Sequence, residues 1–313
     1  MVLLIQYTLI FASVLILVAL GGCFSEHSGV INIGLEGIMV MGALGGALMM
    51  KFLPAGTPAP VIILAVVVAA MGLGLVYSLL LAVAAINFKA DQTLVGTAMN
   101  LLGTAAATVF VKAMNTAENV NNVSSTIQYI EPKKAFIVNI AGFEFNWFML
   151  LAVIALVLAY VTLYKTRFGL RLCACGEHPQ AADSVGINVY KMRYAGVLIS
   201  GVLGGLGGIV YITAGVSEWK FENGVAGFGF LALAVMIFGQ WKPTRIALAA
   251  LVFGLFRALG NVYTGFDFLA ALNLPSGVYN MLPYIISLVI LAFTSGKSRA
   301  PKAEGIPYDK GQR

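Results

Sequence analysis

The sequence predicts an all-α protein, a polytopic bundle of helices that cross a membrane. Hydrophobic residues make up 60% of the 313 residues and charged residues only 10%, whereas soluble domains carry about a quarter charged residues. The mean hydropathy is +0.92. Apolar runs of roughly 16 to 24 residues recur along the chain, and an α-helix of about this length crosses a bilayer. Because lipid cannot satisfy backbone polar groups, helices are the expected spanning elements.

The apolar runs predict about nine transmembrane helices, and eight or ten are also compatible with the pattern. The predicted spans are residues 3–22, 33–51, 61–86, 92–111, 147–164, 192–213, 225–240, 246–261 and 279–295. The first span begins beside Met1 without a basic region or a small-residue cleavage site, so we interpret it as a span rather than a signal peptide. We therefore expect a transmembrane domain over residues 1–295 and a cytoplasmic tail over 296–313.

The distribution of basic residues orients the bundle. With the C-terminus inside, the inner segments carry 13 of the 19 lysines and arginines and the outer segments carry five. This excess follows the positive-inside rule and predicts that the N-terminus is outside. The remaining residue, Arg257, falls within a span and is expected to snorkel to the outer interface. The net charge of +6 is thus a topology signal and does not indicate nucleic-acid binding.

Two connections are long enough to have functions of their own. The outer loop, residues 113–146, is rich in Asn, Ser and Thr, and it is either a surface for an extracellular partner or a solvated cap. The inner connection, residues 165–191, contains a proline and a glycine at the positions that start and stop a short helix, Pro179 and Gly186. This short helix is either a seat for another protein or an interfacial turn.

A carboxylate and a carboxamide at the start of the second span are the main candidates for function. Asn32 and Glu36 are four residues apart and therefore share one helix face. A charge inside the hydrocarbon layer costs several kcal/mol unless it faces protein, water or cargo. Glu36 either pairs with a backbone amide at a helix break or takes part directly in a transport pathway near the inner end of the span. Asn100, Tyr77 and Phe228 are further candidates for lining a cavity.

Glycines are dense in the span that covers residues 192–213. Two small-xxx-small pairs overlap there, Gly201 with Gly205 and Gly204 with Gly208, and such pairs let helices pack closely. They lie inside an apolar span and follow no strand, so they do not form a nucleotide-binding loop.

Three segments together resemble the permease subunits of bacterial ABC importers for nucleosides and simple sugars, a group that also serves ribose and branched-chain amino acids. The segments are residues 28–39 (SGVINIGLEGIM), 169–189 (GLRLCACGEHPQAADSVGINV) and 229–243 (GFLALAVMIFGQWKP). Their order and spacing also fit, so the resemblance covers roughly residues 7 to 295. The chain is most similar to the shorter of the two non-identical permeases in nucleoside importers.

The resemblance implies an ATP-driven importer that works by alternating access. The expected cargo is a nucleoside, with purine nucleosides first and ribose-like sugars as the alternative. This chain would be a non-catalytic, multi-pass subunit in the bacterial plasma (inner) membrane and would bind no cofactor. ATP and Mg²⁺ would bind to a separate cytoplasmic ATPase. The other implied partners are a second, non-identical permease chain, an extracellular or periplasmic substrate-binding protein and membrane lipid, but no nucleic acid.

The resemblance also assigns roles to particular residues. It identifies the inner connection as the coupling segment, which seats in a groove of the ATPase. The residues that carry over to this role are Gly176, Glu177, Pro179, Ala181, Ala182 and Gly186. It identifies residues 28–39 as a broken second helix beside the translocation path, which makes Asn32 and Glu36 the leading pathway candidates.

Other classes of membrane protein fit the residues less well. A secondary transporter is expected to have intramembrane ion-coupling groups and inverted repeats, and we find no convincing repeat. An enzyme would need a cluster of His, Asp or Glu in one plane, but the two histidines, His27 and His178, lie in different loops. Cys173 and Cys175 lack further ligands at metal-site spacing, so we predict two reduced thiols and no metal site.

Overall fold

The structure is a computed structural model that describes residues 2–128, 130–140, 142–215, 219–266, 275–294 and 300–311. It is a helical bundle with one small hairpin. The helices are α1 (Val2–His27), α2 (Leu35–Phe52), α3 (Ala59–Ala82), α4 (Gln92–Glu118), α5 (Ile130–Lys133), α6 (Trp147–Lys165), α7 (Arg167–Glu177), α8 (Pro179–Ser184), α9 (Val189–Val210), α10 (Phe228–Phe238), α11 (Pro243–Val262) and α12 (Ser276–Thr294). The hairpin pairs β1 (Ile137–Ile140) with β2 (Phe143–Asn146) in antiparallel register.

Each predicted span coincides with a helix, and the all-α membrane fold class is confirmed. Among the described residues, seven helical segments are long and apolar enough to cross a membrane. The helix at the seventh predicted span, α10, has only 11 residues. The hairpin lies within the outer loop, where the sequence analysis predicted no strand. The number of spans and the side on which each terminus lies stay predictions.

Helix α1 forms the centre of the bundle. Its residues are buried without interruption from Ile10 to Glu26, and it packs against α6, α9, α10 and α11. A helix that is apolar on all sides is typical of one surrounded by other helices. The α1 sequence fits this position, because it carries no charged residue before Glu26.

The two glycine pairs of α9 face two different neighbours. A Cβ atom at Gly204 would lie 2.8 Å from Cγ2 of Ile38 in α2, and one at Gly208 would collide with the backbone of Met39 in the same helix. The pair Gly201 and Gly205 faces α3 instead, where added Cβ atoms would collide with Ser78 and with the backbone of Ala70. Helix α9 therefore approaches both helices more closely than any other residue type would allow.

A single added methyl group tests this packing. We expect Gly208→Ala to destabilise the folded protein by about 1–3 kcal/mol, because the backbone of α2 must move to admit the methyl group. The measurement is the midpoint of thermal unfolding in detergent. Gly72→Ala in α3 is the matched control, since nothing lies within 4 Å of a Cβ there. Equal midpoints for the two variants would contradict the close approach of α9 to α2.

Candidate functional site

The helix break between α1 and α2, residues 28–34, is the first part of the site. The chain leaves α1 at His27 and does not become helical again until Leu35. Gly29 has a φ of +91°, a conformation that glycine adopts without strain. The Ser25 hydroxyl donates a hydrogen bond of 2.7 Å to the Val30 carbonyl and so holds the turn.

Glu36 binds the start of α10. Its two carboxylate oxygens accept hydrogen bonds from the backbone N–H groups of Gly227, at 2.8 Å, and Gly229, at 2.7 Å. The first N–H groups of a helix have no partner within the helix, and the helix dipole favours a negative charge at this end. Glu36 is only 8% exposed. The sequence analysis considered two roles for Glu36, and these contacts match the first, a carboxylate that pairs with backbone amides at a helix break.

Helix α10 separates Glu36 from the end of α1. Helix α10 has 11 residues and is therefore about 16 Å long. Its start binds Glu36, while the Trp241 indole N–H just beyond its end donates to Glu26, near the C-terminal end of α1. Glu36 itself is the second residue of α2. That it lies near the inner end of its span stays a prediction.

Two asparagines hold the two sides of the break. Asn100 in α4 accepts a hydrogen bond from the Gly37 N–H at 2.8 Å and donates one to the Ile33 carbonyl at 2.9 Å. Asn32 is fully buried and donates to the Ser200 hydroxyl in α9 at 2.8 Å. The Asn32 Oδ1 atom has no hydrogen-bond partner among the described residues. The break is thus attached to α4 and α9 by side-chain amides.

Tyr77 and Phe228 are also buried, but Tyr77 makes a hydrogen bond whereas Phe228 packs against other aromatic rings. The Tyr77 hydroxyl donates to the Met99 carbonyl in α4 at 2.6 Å, next to the asparagine that holds the break. Phe228 packs in an aromatic cluster, with its ring centre 4.6 Å from that of Tyr211 and 5.5 Å from that of Phe11. Four of the five predicted pathway residues therefore meet around the break, and the fifth lies in the first turn of α10.

Arg257 faces the interior and not the outer interface. Its guanidinium lies 5.4 Å from the centre of the Phe11 ring and 5.7 Å from that of Phe228, so the snorkelling expectation is wrong. Close packing of α11 on α1 places it there, since a Cβ at Gly254 would lie 2.9 Å from the backbone N of Ala12. The cation–π contacts stabilise the inward orientation of the side chain. The sequence signal that could have indicated these contacts was an arginine within an apolar span.

The coupling segment, residues 165–191, forms helices α7 and α8 and divides into an inward and an outward face. Of the six predicted coupling residues, the structure buries Gly176, Pro179 and Ala182 and exposes Glu177, Ala181 and Gly186. A Cβ at Gly176 would collide with the backbone of His27 at the end of α1. One face is therefore packed on the bundle, and the other is free to meet a partner.

The two cysteines of α7 have raised pKa values in this packing. Burial raises the pKa of the Cys173 and Cys175 thiols to about 11, because a thiolate is poorly solvated there. Both therefore stay protonated thiols at neutral pH.

Residues 300–311, which we name the C-terminal tail, cover the inward face of the coupling segment. The Ala303 N–H donates to the Gly176 carbonyl at 2.8 Å. Tyr308 is only 4% exposed and clusters with Cys175, Ala182 and Val189. The sequence analysis treated this tail as a separate cytoplasmic extension. It carries no helical periodicity that could have indicated where it packs.

Comparison with known proteins gives one family over nearly the whole chain. A family model described as "Branched-chain amino acid transport system / permease component" matches residues 4–293. The chain is 41% identical to the guanosine ABC transporter permease protein NupQ of Bacillus subtilis, over 98% of this chain and 96% of NupQ. It is 40% identical to the nucleoside ABC transporter permease protein NupC of Lactococcus lactis, over 97% of this chain and 96% of NupC.

A weaker similarity connects the chain with another permease of Lactococcus lactis. The nucleoside ABC transporter permease protein NupB is 25% identical over 55% of this chain and 50% of NupB. Together with the apolar helices, the matches make this chain a multi-pass protein of the inner membrane. It belongs to the permease-component family of branched-chain amino acid-type transport systems.

Proposed function

We propose that this chain is the permease subunit of an ATP-driven ABC importer that translocates nucleosides, with purine nucleosides as the preferred cargo. The observation that carries the proposal is the identity of 41% and 40%, over almost the full length, to permeases named for guanosine and for nucleosides. Ribose-like sugars are the alternative cargo. A secondary transporter is a more distant alternative for the function.

The proposed complex contains three further kinds of chain. A second, non-identical permease is supported by the similarity to NupB, which comes from the same organism as NupC. A cytoplasmic ATPase would bind ATP and Mg²⁺, so this chain would need no cofactor and would catalyse no reaction itself. An extracellular or periplasmic binding protein would deliver the cargo to the outer face.

The geometry supports alternating access through the helix break. Helices α2 and α10 both begin at Glu36, and discontinuous helices of this kind are typical of transport sites. The exposed face of α8 would seat in a groove of the ATPase. Movement of α8 would then shift the inner end of α1, with which Gly176 is in contact, and the break that follows it.

The proposed cargo is tested by ATP-dependent uptake. Proteoliposomes that contain the complete complex and its binding protein should accumulate labelled guanosine only when ATP is present. Excess unlabelled inosine should compete, while excess ribose should not, because the base and the sugar would both be recognised. Competition by ribose alone would favour the sugar alternative, and uptake driven by an ion gradient without ATP would contradict the importer.

The charge of Glu36 should be required for transport. Glu36→Gln keeps the shape but replaces one acceptor oxygen with a donor NH₂ group, so only one of the two α10 amides retains an acceptor. Loss of a charge-assisted hydrogen bond costs about 1.5–3 kcal/mol, and we expect labelled-nucleoside uptake to fall at least about tenfold. Uptake is measured at equal membrane abundance of the variant and wild type.

Glu222→Gln is the matched control for this experiment. Glu222 pairs with Lys112 at 3.2 Å, and both side chains are more than 40% exposed. Such surface pairs contribute about 0–1 kcal/mol, so uptake should stay near the wild-type rate. If Glu36→Gln transports as well as Glu222→Gln, Glu36 is not needed for the transport cycle.

The outward face of α8 should be the ATPase seat. We expect Ala181→Arg to abolish both ATPase co-purification and uptake, because Ala181 is exposed and a bulky charge there would fill the groove of the partner. Ala117→Arg, at an exposed position near the end of α4, is the control and should have no effect. Ala182→Arg is unsuitable, since Ala182 is buried against Tyr308. Normal co-purification of Ala181→Arg would contradict the docking assignment.

A further inference from the structure

The C-terminal tail contacts the coupling segment at three points. Its backbone bonds to α7 through the Ala303 N–H and the Gly176 carbonyl, at 2.8 Å. The Tyr308 side chain packs on Ala182 of α8. Lys310 Nζ lies 3.9 Å from a carboxylate oxygen of Asp183, also in α8. The tail therefore follows the coupling segment along its inward face.

Helix α8 depends on such support. It has only six residues, and so short a helix is not stable alone in water. Its buried side chains are Pro179 and Ala182, which are too small to anchor it by themselves. Ala182 lies in one buried apolar cluster with Tyr308 of the tail, Cys175 and Val189.

The same tail also contacts α9 and the helix break. Arg193 of α9 is 1% exposed, and its Nη1 donates to the Ile306 carbonyl at 3.0 Å. The rings of Tyr190 and Tyr308 meet edge to face with centres 5.3 Å apart. Gly305 lies so close to the break that a Cβ there would be 2.8 Å from Cδ1 of Ile31. The tail thus bridges the coupling segment and the break.

An ion pair and a pair of carboxyl groups are the remaining contacts of the tail. Lys89, between α3 and α4, bonds to Asp309 at 2.8 Å. Glu304 lies beside Glu26 at the end of α1, and burial raises the pKa of Glu304 to about 7.

We propose that the C-terminal tail is a positioning segment that joins the coupling segment to the helix break, so that displacement of α8 by the ATPase is passed to Ile31 and to the inner end of α9. This inference rests on the proposed function, because it requires an ATPase at α8. Tyr308 is the residue on which the connection depends, since it contacts α8 on one side and α9 on the other.

The variant Tyr308→Ala tests the connection. The complete complex should still co-purify with its ATPase, because the outward face of α8 is unchanged. The number of labelled nucleosides transported per ATP hydrolysed should fall about tenfold, because α8 would move without moving the break. Tyr308→Phe keeps the ring and should restore the ratio. Lys302→Ala changes an exposed tail residue and should leave the ratio unchanged.

A merely structural role of the tail would give a different result. If Tyr308→Ala lowers uptake and ATP hydrolysis in the same proportion, the ratio is unchanged and the proposal is wrong. Loss of the ATPase from the purified complex would also overturn it, since the tail would then belong to the docking surface.

A second measurement needs no cargo and so separates this proposal from the proposed substrate. Ile33→Cys places a half-buried thiol in the helix break, away from the tail. Its rate of maleimide labelling, followed by peptide mass spectrometry, should change when ATP is added to the complex. With Tyr308→Ala, ATP should no longer change the rate. An ATP response that persists in this variant would overturn the connection, even if the cargo is not a nucleoside.

Discussion

The structure depends on the hydrogen bonds that allow two helices to begin in the interior of the bundle. Helices α2 and α10 both start around the helix break, among buried residues. Glu36 accepts hydrogen bonds from Gly227 and Gly229 of α10, and Asn100 accepts one from Gly37 of α2. Each buried N–H left without an acceptor costs about 1–3 kcal/mol. These two side chains therefore stabilise the interruption within the helical bundle.

The interruption is connected to the coupling segment by short elements. Helix α10 joins Glu36 at its start to Trp241 beyond its end, where the Trp241 carbonyl lies 3.0 Å from His27 Nε2. Gly176 of the coupling segment packs on the backbone of the same histidine. The C-terminal tail lies against both the coupling segment and the break. A continuous set of contacts thus joins the proposed ATPase seat to the proposed path.

The sequence predicted where the helices lie along the chain better than it predicted which residues surround each side chain. The apolar runs predicted every helix that corresponds to a span, because hydrophobic length depends on local sequence alone. The positions of Arg257 and Ala182 could not be predicted in this way. Arg257 turns inward because Phe11 and Phe228, which are distant in sequence, meet beside it. Ala182 is buried in a cluster that includes Tyr308, from the other end of the chain.

The sequence by itself determined the fold class, the approximate spans and the family, since these follow from hydropathy, charge distribution and three local motifs. It also singled out Glu36 and the coupling segment as places where local composition departs from an ordinary span. Only the tertiary structure decided what Glu36 binds and which face of α8 is outward. The reason is that each of these properties depends on a partner far away in the chain: α10 for the carboxylate, and the C-terminal tail for α8.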